Sequence, residues 1–311
     1  MKVLLTGGSS FSGLWIATAL AEAGHEVTAP LLRPRETYDG LRGRRVEALA
    51  RVARLEPGMA FGDDAFRALV SREPFDVLCH HGARVEGYKE LTFDVAGALA
   101  DNTRNIGPVL AAMAERGLQA MIGTGSVFES DEGAGETPRE AFSPYGLSKR
   151  LTHEVIRFWS RHAGVRLGKF VIANPFGPFE EPRFCAYLMK TWAAGKVAAV
   201  NTPAYLRDNI HVGLLGRAYA GYLDDIVAGR GAERFGPMGY VESQGQFAQR
   251  FANAMRQRTG LACELALADQ REFAEPLVRI NTDRIDPASY GWNETEAWDA
   301  IAGFYRDGGG N

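Results

Sequence analysis

The chain has 311 residues, 46% of them hydrophobic and 23% charged, a globular balance that excludes a disordered or fibrous protein. Its 35 basic and 38 acidic residues leave a formal charge of −3, which gives no basis for bulk nucleic-acid or membrane-surface binding. Cys79, Cys185 and Cys263 lack CxxC spacing, which argues against a disulfide framework or a zinc site, and no apolar run approaches the ~18 residues of a membrane span. A strand-like run follows Met1 directly, so no signal peptide is expected, and the expected location is the cytoplasm.

The first half alternates strand-like and helical runs. Val3–Leu5 reads as a strand, Phe11–Ala23 as a helix stopped by Gly24, and Glu26–Ala29 as a second strand. Met59–Phe61 and Phe75–Cys79 read as the third and fourth strands. A helix is expected over Leu99–Arg116, interrupted at Gly107-Pro108, then a fifth strand at Ala120–Ile122. Pro144–His162 reads as a helix ending at Gly164, and Leu167–Ala173 as a sixth strand. Strands joined by crossover helices demand a parallel sheet covered on both faces, so the expected class is α/β, a doubly wound Rossmann sheet. After Gly177 the alternation fails, although helices fit Leu214–Leu223 and Gln244–Arg258. The expected division is residues 1–173 mainly as the dinucleotide-binding domain and 174–311 mainly as a smaller mixed α/β substrate lobe, with segments returning to the sheet.

Between the first strand and helix stands Thr6-Gly7-Gly8-Ser9-Ser10-Phe11-Ser12-Gly13. Glycines let such a turn approach a pyrophosphate, and the helix N-terminus supplies oriented N–H groups. Ser10 stands where a glycine is usual, at some expected cost in backbone freedom, with a hydroxyl able to donate to phosphate. An acid after the second strand would accept from the adenosine ribose and repel a 2′-phosphate. Here Leu31 is followed by Arg33 and Arg35, which favours NADP(H) over NAD(H). Asp63 is placed to accept from the adenine amino group or, alternatively, to cap the next helix.

Tyr145 and Lys149 are four residues apart on a predicted helix, hence on one face. A phenol titrates near 10; bringing it to ~7 takes about 4 kcal/mol, which a cation at ~4 Å supplies at an effective dielectric of 20. Lys149 with an oxidised nicotinamide fits that task, and the phenol then exchanges a proton with a sugar hydroxyl as hydride moves.

At these residues the chain resembles the extended short-chain dehydrogenase/reductase family, most of whose members act on nucleotide sugars. Thr6–Gly13 is similar to its TGxxGxxG turn, and Tyr145 and Lys149 to its YxxxK. Gly123–Phe128 is similar to its Ser-Ser-x-x-Val-Tyr strand end. The resemblance implies a catalytic hydroxyl at Thr124, beside Tyr145 and Lys149. It implies cofactor contacts from Gly7, Ser9, Ser10, Phe11, Gly13, Ala83, Asn102 and Lys149, to which the residue reading adds Arg33 and Asp63. Asn174-Pro175-Phe176-Gly177 and Arg207-Asp208-Asn209-Ile210-His211-Val212 look like its diphosphate-binding segments, implying substrate contacts from Asn174 and Arg207, with Ser126 nearby. His81 is placed at the family's structural histidine; a metal is not expected, because adjacent histidines in a strand face opposite sides.

The family's sugar 4,6-dehydratases carry an Asp-Glu pair where this chain has Gly125 and Ser126, which demotes dehydration. The leading expectation is an NADP-dependent reductase of a 4-keto nucleotide sugar. The alternatives are a nucleotide-sugar epimerase, a reductase of small carbonyl compounds, and a non-catalytic NADP-binding sensor. The resemblance also implies a homodimer built from the helices near Leu99–Arg116 and Tyr145–His162, with Val109, Met113 and Phe158 as candidate contacts.

Overall fold

The computed structural model describes residues 1–135 and 139–309. The first half supplies β1 Lys2–Thr6, α1 Phe11–Glu22, β2 Glu26–Pro30, α2 Gly40–Leu49, β3 Arg54–Glu56, α3 Asp64–Arg72, β4 Val77–His80, α4 Val95–Asn102, α5 Ile106–Ala114, β5 Ala120–Ser126, α6 Pro144–His162 and β6 Arg166–Ile172. The second half supplies β7 Asn174–Phe176, α7 Phe184–Ala193, β8 Ala198–Val200, β9 Leu206–His211, α8 Val212–Val227, β10 Arg234–Phe235, β11 Tyr240–Ser243, α9 Gln244–Thr259, β12 Leu265–Leu267, β13 Val278–Arg279 and α10 Glu294–Arg306.

The main sheet runs β10-β6-β5-β4-β1-β2-β3, and every pairing in it is parallel. Successive strand residues point to opposite faces. Val3, Leu5, Cys79 and Ile122 join the core under α1 and α8, whereas Leu4, Leu78 and Met121 join the core under α3, α5 and α6. Both faces are covered, which is why these strands read as continuous apolar runs. The strand order reverses between β1 and β4. In doubly wound sheets ligands bind at that switch point, outside the carboxyl ends of the strands.

In the second half, β9 pairs with β7 and β13 in parallel and with β11 antiparallel, and β12 pairs with β8. A separate core, including Phe176, Trp192, Phe247, Phe251 and Trp298, holds this lobe together. Leu215, Ala218 and Leu223 of α8 instead pack in the main core, and β10 extends the main sheet.

Three expectations are corrected. The third strand is β3, not Met59–Phe61; it lies at the sheet edge, where a half-polar Arg54-Leu55-Glu56 suffices. The helix expected over Leu99–Arg116 is two helices, broken at Thr103–Asn105. Asn105 takes a left-handed φ of 51° and donates its side-chain amide to the Gly62 carbonyl at 2.8 Å. Val109 and Met113, 0% and 2% exposed, face the sheet and offer no contact surface; Phe158, 63% exposed, does, with Leu147 and Leu151 on the same helix.

Candidate active site

The turn after β1 is built for close approach. Gly7 has φ 74°, and a Cβ there would lie 2.7 Å from Gly82 Cα, so the loops after β1 and β4 touch at the switch point. A Cβ on Gly13 would meet the Gly7 carbonyl oxygen at 2.1 Å. Ser10 costs no backbone freedom, contrary to expectation: its φ of −77° and ψ of 167° are open to any residue. Its hydroxyl caps α1 by accepting from Gly13 N–H at 3.1 Å and donates to the Gly7 carbonyl at 2.8 Å. Gly7, Ser10, Phe11 and Ala83 line a cleft of about 260 Å³ that runs on to Ser126 and Asn174. The bare glycine backbone, the capped helix N-terminus and the cleft beyond fit a dinucleotide pyrophosphate.

Leu31 is 1% exposed and buried in the core, so no side chain at that position reaches a ribose. Arg33 lies over the Tyr38 ring at 4.6 Å. Arg42, on α2, lies 5.5 Å from the same ring and donates to Ser9 Oγ at 3.0 Å. Two guanidinium groups and a buried serine are thus gathered beside the glycine turn. Arg42 has no signal in the sequence, since its partner is 33 residues away. Asp63 caps α3, accepting from Phe66 and Ala60 N–H groups at 2.8 Å each, so both oxygens are engaged within the chain.

The structural histidine is His80, not His81. The His80 ring lies 3.1 Å from Thr6 Oγ1 and 2.8 Å from the Asn102 carbonyl oxygen. One residue on, His81 turns into the cleft. Its Nε2 lies 3.0 Å from Ser12 Oγ and 3.2 Å from Ser10 Oγ, and its Nδ1 lies 3.1 Å from Thr124 Oγ1. Burial, reinforced by the Lys149 cation, pushes His80 to about 4 and His81 to about 3, so both rings are neutral. Asn102 is buried away from the cleft. Its side chain accepts from Arg84 N–H at 2.9 Å and donates to Thr152 Oγ1 at 3.3 Å.

Ser143 caps α6 by accepting from Gly146 N–H at 3.1 Å, and Pro144 follows in the first turn. This start sets Tyr145 beside the cleft and Lys149 one turn further along the same face. The Tyr145 ring sits edge-on among Tyr88, Phe93 and Phe128, with centroids 5.7, 5.9 and 6.3 Å away. Tyr88 and Phe128 line the cleft, as does Arg183, whose guanidinium lies 5.8 Å from the Tyr88 ring. Burial and the Glu129 carboxylate push the phenol up, and the cation pulling it down is Arg183. Burial pulls Lys149 down against Glu129. The lowering expected of Lys149 is not found in the chain itself, where burial dominates and the shift is upward.

Ser126 and Asn174 are brought to one cleft wall. Ser126 Oγ accepts from Phe128 N–H at 3.2 Å. Arg207 is elsewhere. It borders a second cavity, of about 540 Å³, with Tyr187, Asn201, Thr202 and Gln244. Its guanidinium donates to the Leu206, Pro276 and Leu277 carbonyls and to Glu275 at 3.0–3.1 Å, over the Tyr205 ring at 4.3 Å.

A glycine turn at the switch point of a doubly wound sheet, facing a tyrosine–lysine pair across one cleft, defines a dinucleotide-dependent enzyme. Residues 3–236 match the NAD dependent epimerase/dehydratase family, and the chain belongs to that family, part of the extended short-chain dehydrogenase/reductase group. Among solved structures it is similar to the UDP-glucuronic acid 4-epimerase of Bacillus cereus in complex with UDP-glucuronic acid and NAD (16% identity, 99% of both chains, TM-score 0.72). It is also similar to the UDP-glucose 4-epimerase of Thermotoga maritima (19%, 99% of both chains, 0.71). A third is the dTDP-glucose 4,6-dehydratase of Streptomyces venezuelae (18%, 99% of this chain and 97% of that one, 0.69). At these identities the likeness shows a shared fold. No curated protein matches the chain.

Proposed function

We propose that the chain moves hydride between NADP(H) and a carbon of a nucleotide sugar, in the first instance reducing a 4-keto nucleotide sugar. The observation that carries this is the arrangement of Tyr145 and Lys149 beside the cleft that begins at Gly7 and Ser10 and ends at Ser126 and Asn174. The dinucleotide supplies the hydride. Tyr145 gives the proton to the developing alkoxide or takes it back from the hydroxyl. Lys149 holds the ribose beside the phenol, and Thr124, oriented by His81, hydrogen-bonds the reacting oxygen. Gly7, Ser9, Ser10, Phe11, Gly13 and Ala83 hold the cofactor, with Asp63 shaping the adenine end through its cap on α3 and Asn102 supporting the wall. Arg33 and Arg42 select the 2′-phosphate. Ser126 and Asn174 contact the substrate, and Arg207 takes the diphosphate in exchange for Glu275. Residues 1–173 mainly carry the cofactor and 174–311 mainly the substrate.

A reductase exchanges cofactor every turnover, which suits NADPH. Epimerisation at the same carbon, with NAD(P) retained, is the second reading, favoured by the two 4-epimerases among the similar structures. Three free, buried cysteines fit a reducing compartment, and we place the enzyme in the cytoplasm as a homodimer paired through α4 and α5, the helices near Leu99–Arg116, and α6. Thermal shift with NADPH and UDP-, GDP-, CDP- and dTDP-sugars identifies the preferred nucleotide, since ligand at 100 times Kd adds about 2.7 kcal/mol. Tyr145→Phe should then lower hydride transfer by about 10²–10⁴-fold while cofactor affinity stays. A variant within a few-fold of wild type refutes the mechanism.

A further inference from the structure

A row of charges, buried at Glu129, Lys169 and Glu132, runs from the turn after β5 across β6 to β10, and the proposed reaction does not use it. Glu129 is 0% exposed. Its Oε1 accepts from Ser126 N–H at 2.8 Å and its Oε2 from Lys169 Nζ at 2.6 Å. Lys169, on β6 and also buried, donates as well to Glu132. Glu132 accepts from Arg234 Nε at 2.9 Å, and Arg234, on β10, reaches Asp283 at 2.7 Å. Signs alternate along the whole row, from the end of β5 to a segment of the C-terminal half.

Two glycines make room for it. A Cβ on Gly125 would lie 2.6 Å from Lys169 Cε and 3.0 Å from Glu129 Oε1. A Cβ on Gly146 would lie 2.0 Å from the Phe128 carbonyl oxygen. The Phe128-Glu129 turn is therefore pressed against the first turn of α6, directly beside Tyr145. Stability alone is a weak reason to bury such a row, since well-packed apolar residues often do as well or better.

We propose that Glu129 is a positioning residue: clamped by Lys169, it fixes the end of β5 through Ser126 and holds a negative charge beneath Tyr145 and Lys149 that keeps the phenol a proton donor. This rests on the reading of Tyr145 as acid and base. Among the described residues, the charged and titratable groups acting on the phenol are Glu129 from the turn after β5, Tyr88 from the loop after β4 and Arg183 from the loop before α7, with Lys149 one turn further along α6. Those facing Lys149 are Glu129, Lys169 and the two histidines at the end of β4. Glu129 pushes the phenol up, opposing the lowering that Lys149 and the nicotinamide would bring, and supports the charged ammonium.

The test uses protein saturated with oxidised cofactor. Tyrosinate formation is followed by ultraviolet difference titration, each variant being read against the same variant carrying Tyr145→Phe, so that the difference reports this phenol alone. Glu129→Gln keeps the shape and the acceptor for Ser126 N–H but removes the charge. It should move the phenol midpoint to lower pH by about one unit, a tenfold change in ionisation constant. Lys169→Met leaves the carboxylate uncompensated and should move it to higher pH. Glu129→Asp keeps the charge and should stay near wild type, which decides the matter if Lys169→Met does not fold. A midpoint unmoved in Glu129→Gln, whatever happens to its melting temperature, overturns the proposal and leaves a structural ion pair. Full activity in Tyr145→Phe would instead overturn the acid–base reading, a separate result from the titration.

Discussion

Replacing Arg42 by alanine should separate the two dinucleotides. Its guanidinium is held beside the Tyr38 ring and donates to Ser9 Oγ at 3.0 Å, next to a turn that admits a phosphate backbone. A phosphate charge ~4 Å from a guanidinium gains about 4 kcal/mol at an effective dielectric of 20. Arg42 is exposed to solvent, so screening brings the gain toward the ~1.5–3 kcal/mol of a hydrogen bond to a charged group. Loss of that contact should weaken NADP about 10–150-fold, whereas NAD, which lacks the 2′-phosphate, should change by less than about threefold. Isothermal titration of each cofactor into wild type and variant gives the two ratios. The NADP advantage should also shrink as salt is raised. Arg33→Ala should act in the same direction but less, because Arg33 reaches this group through the Tyr38 ring. If both cofactors weaken together, or neither does, the NADP assignment fails.

Gly146→Ala should destabilise the fold by roughly 1–3 kcal/mol, because the added methyl lands 2.0 Å from the Phe128 carbonyl oxygen and backbone stands on both sides; an unchanged denaturation midpoint would show that the turn yields. His80, His153 and His211 are pushed down by burial to about 4 and His81 to about 3, from about 6.5 when unfolded. Their folded values are depressed, so only the unfolded chain takes up these protons as pH falls from about 6.5 toward 4. The stability they contribute is full above that window and is lost through it, at about 1.36 kcal/mol per pH unit for each histidine. A melting temperature that stays flat from about pH 7 to 5 contradicts this. Phe158→Glu, on the exposed face of α6, should convert a homodimer to monomer by light scattering, and a dimer that survives the change places the interface elsewhere.

Local patterns in the chain were legible. The glycine turn announces itself because a strand, a tight turn and a helix follow each other within a dozen residues, and the Tyr145–Lys149 pair because one helical turn separates them. Features set by distant contacts were not. The expected interruption at Gly107-Pro108 is harmless, because Pro108 falls in the first turn of α5, where a missing N–H is no loss. The real break, two residues earlier, is fixed by a bond from Asn105 to Gly62, 43 residues away. The two histidines after Cys79 show how narrow the margin is. A shift of one residue exchanges the buried partner of Thr6 for the ring that lines the cleft, because side chains at a strand end alternate in direction.

Charge partners are the deeper blind spot. Arg207 stands where the family pattern puts it, yet its guanidinium is taken by Glu275, 68 residues on, and by the carbonyls beside it. Arg42 and Ser9 meet across 33 residues, and Lys169 and Glu129 across 40. A motif marks the side chains that face a ligand, because those recur at a fixed spacing along one strand or helix. The counter-charges behind them come from whichever neighbouring element the sheet order brings alongside. In this fold that element is β6, which lies next to β5 and delivers Lys169 to Glu129 in the turn after β5. The electrostatics of Tyr145 are therefore a property of strand order as much as of the residues that spell its motif.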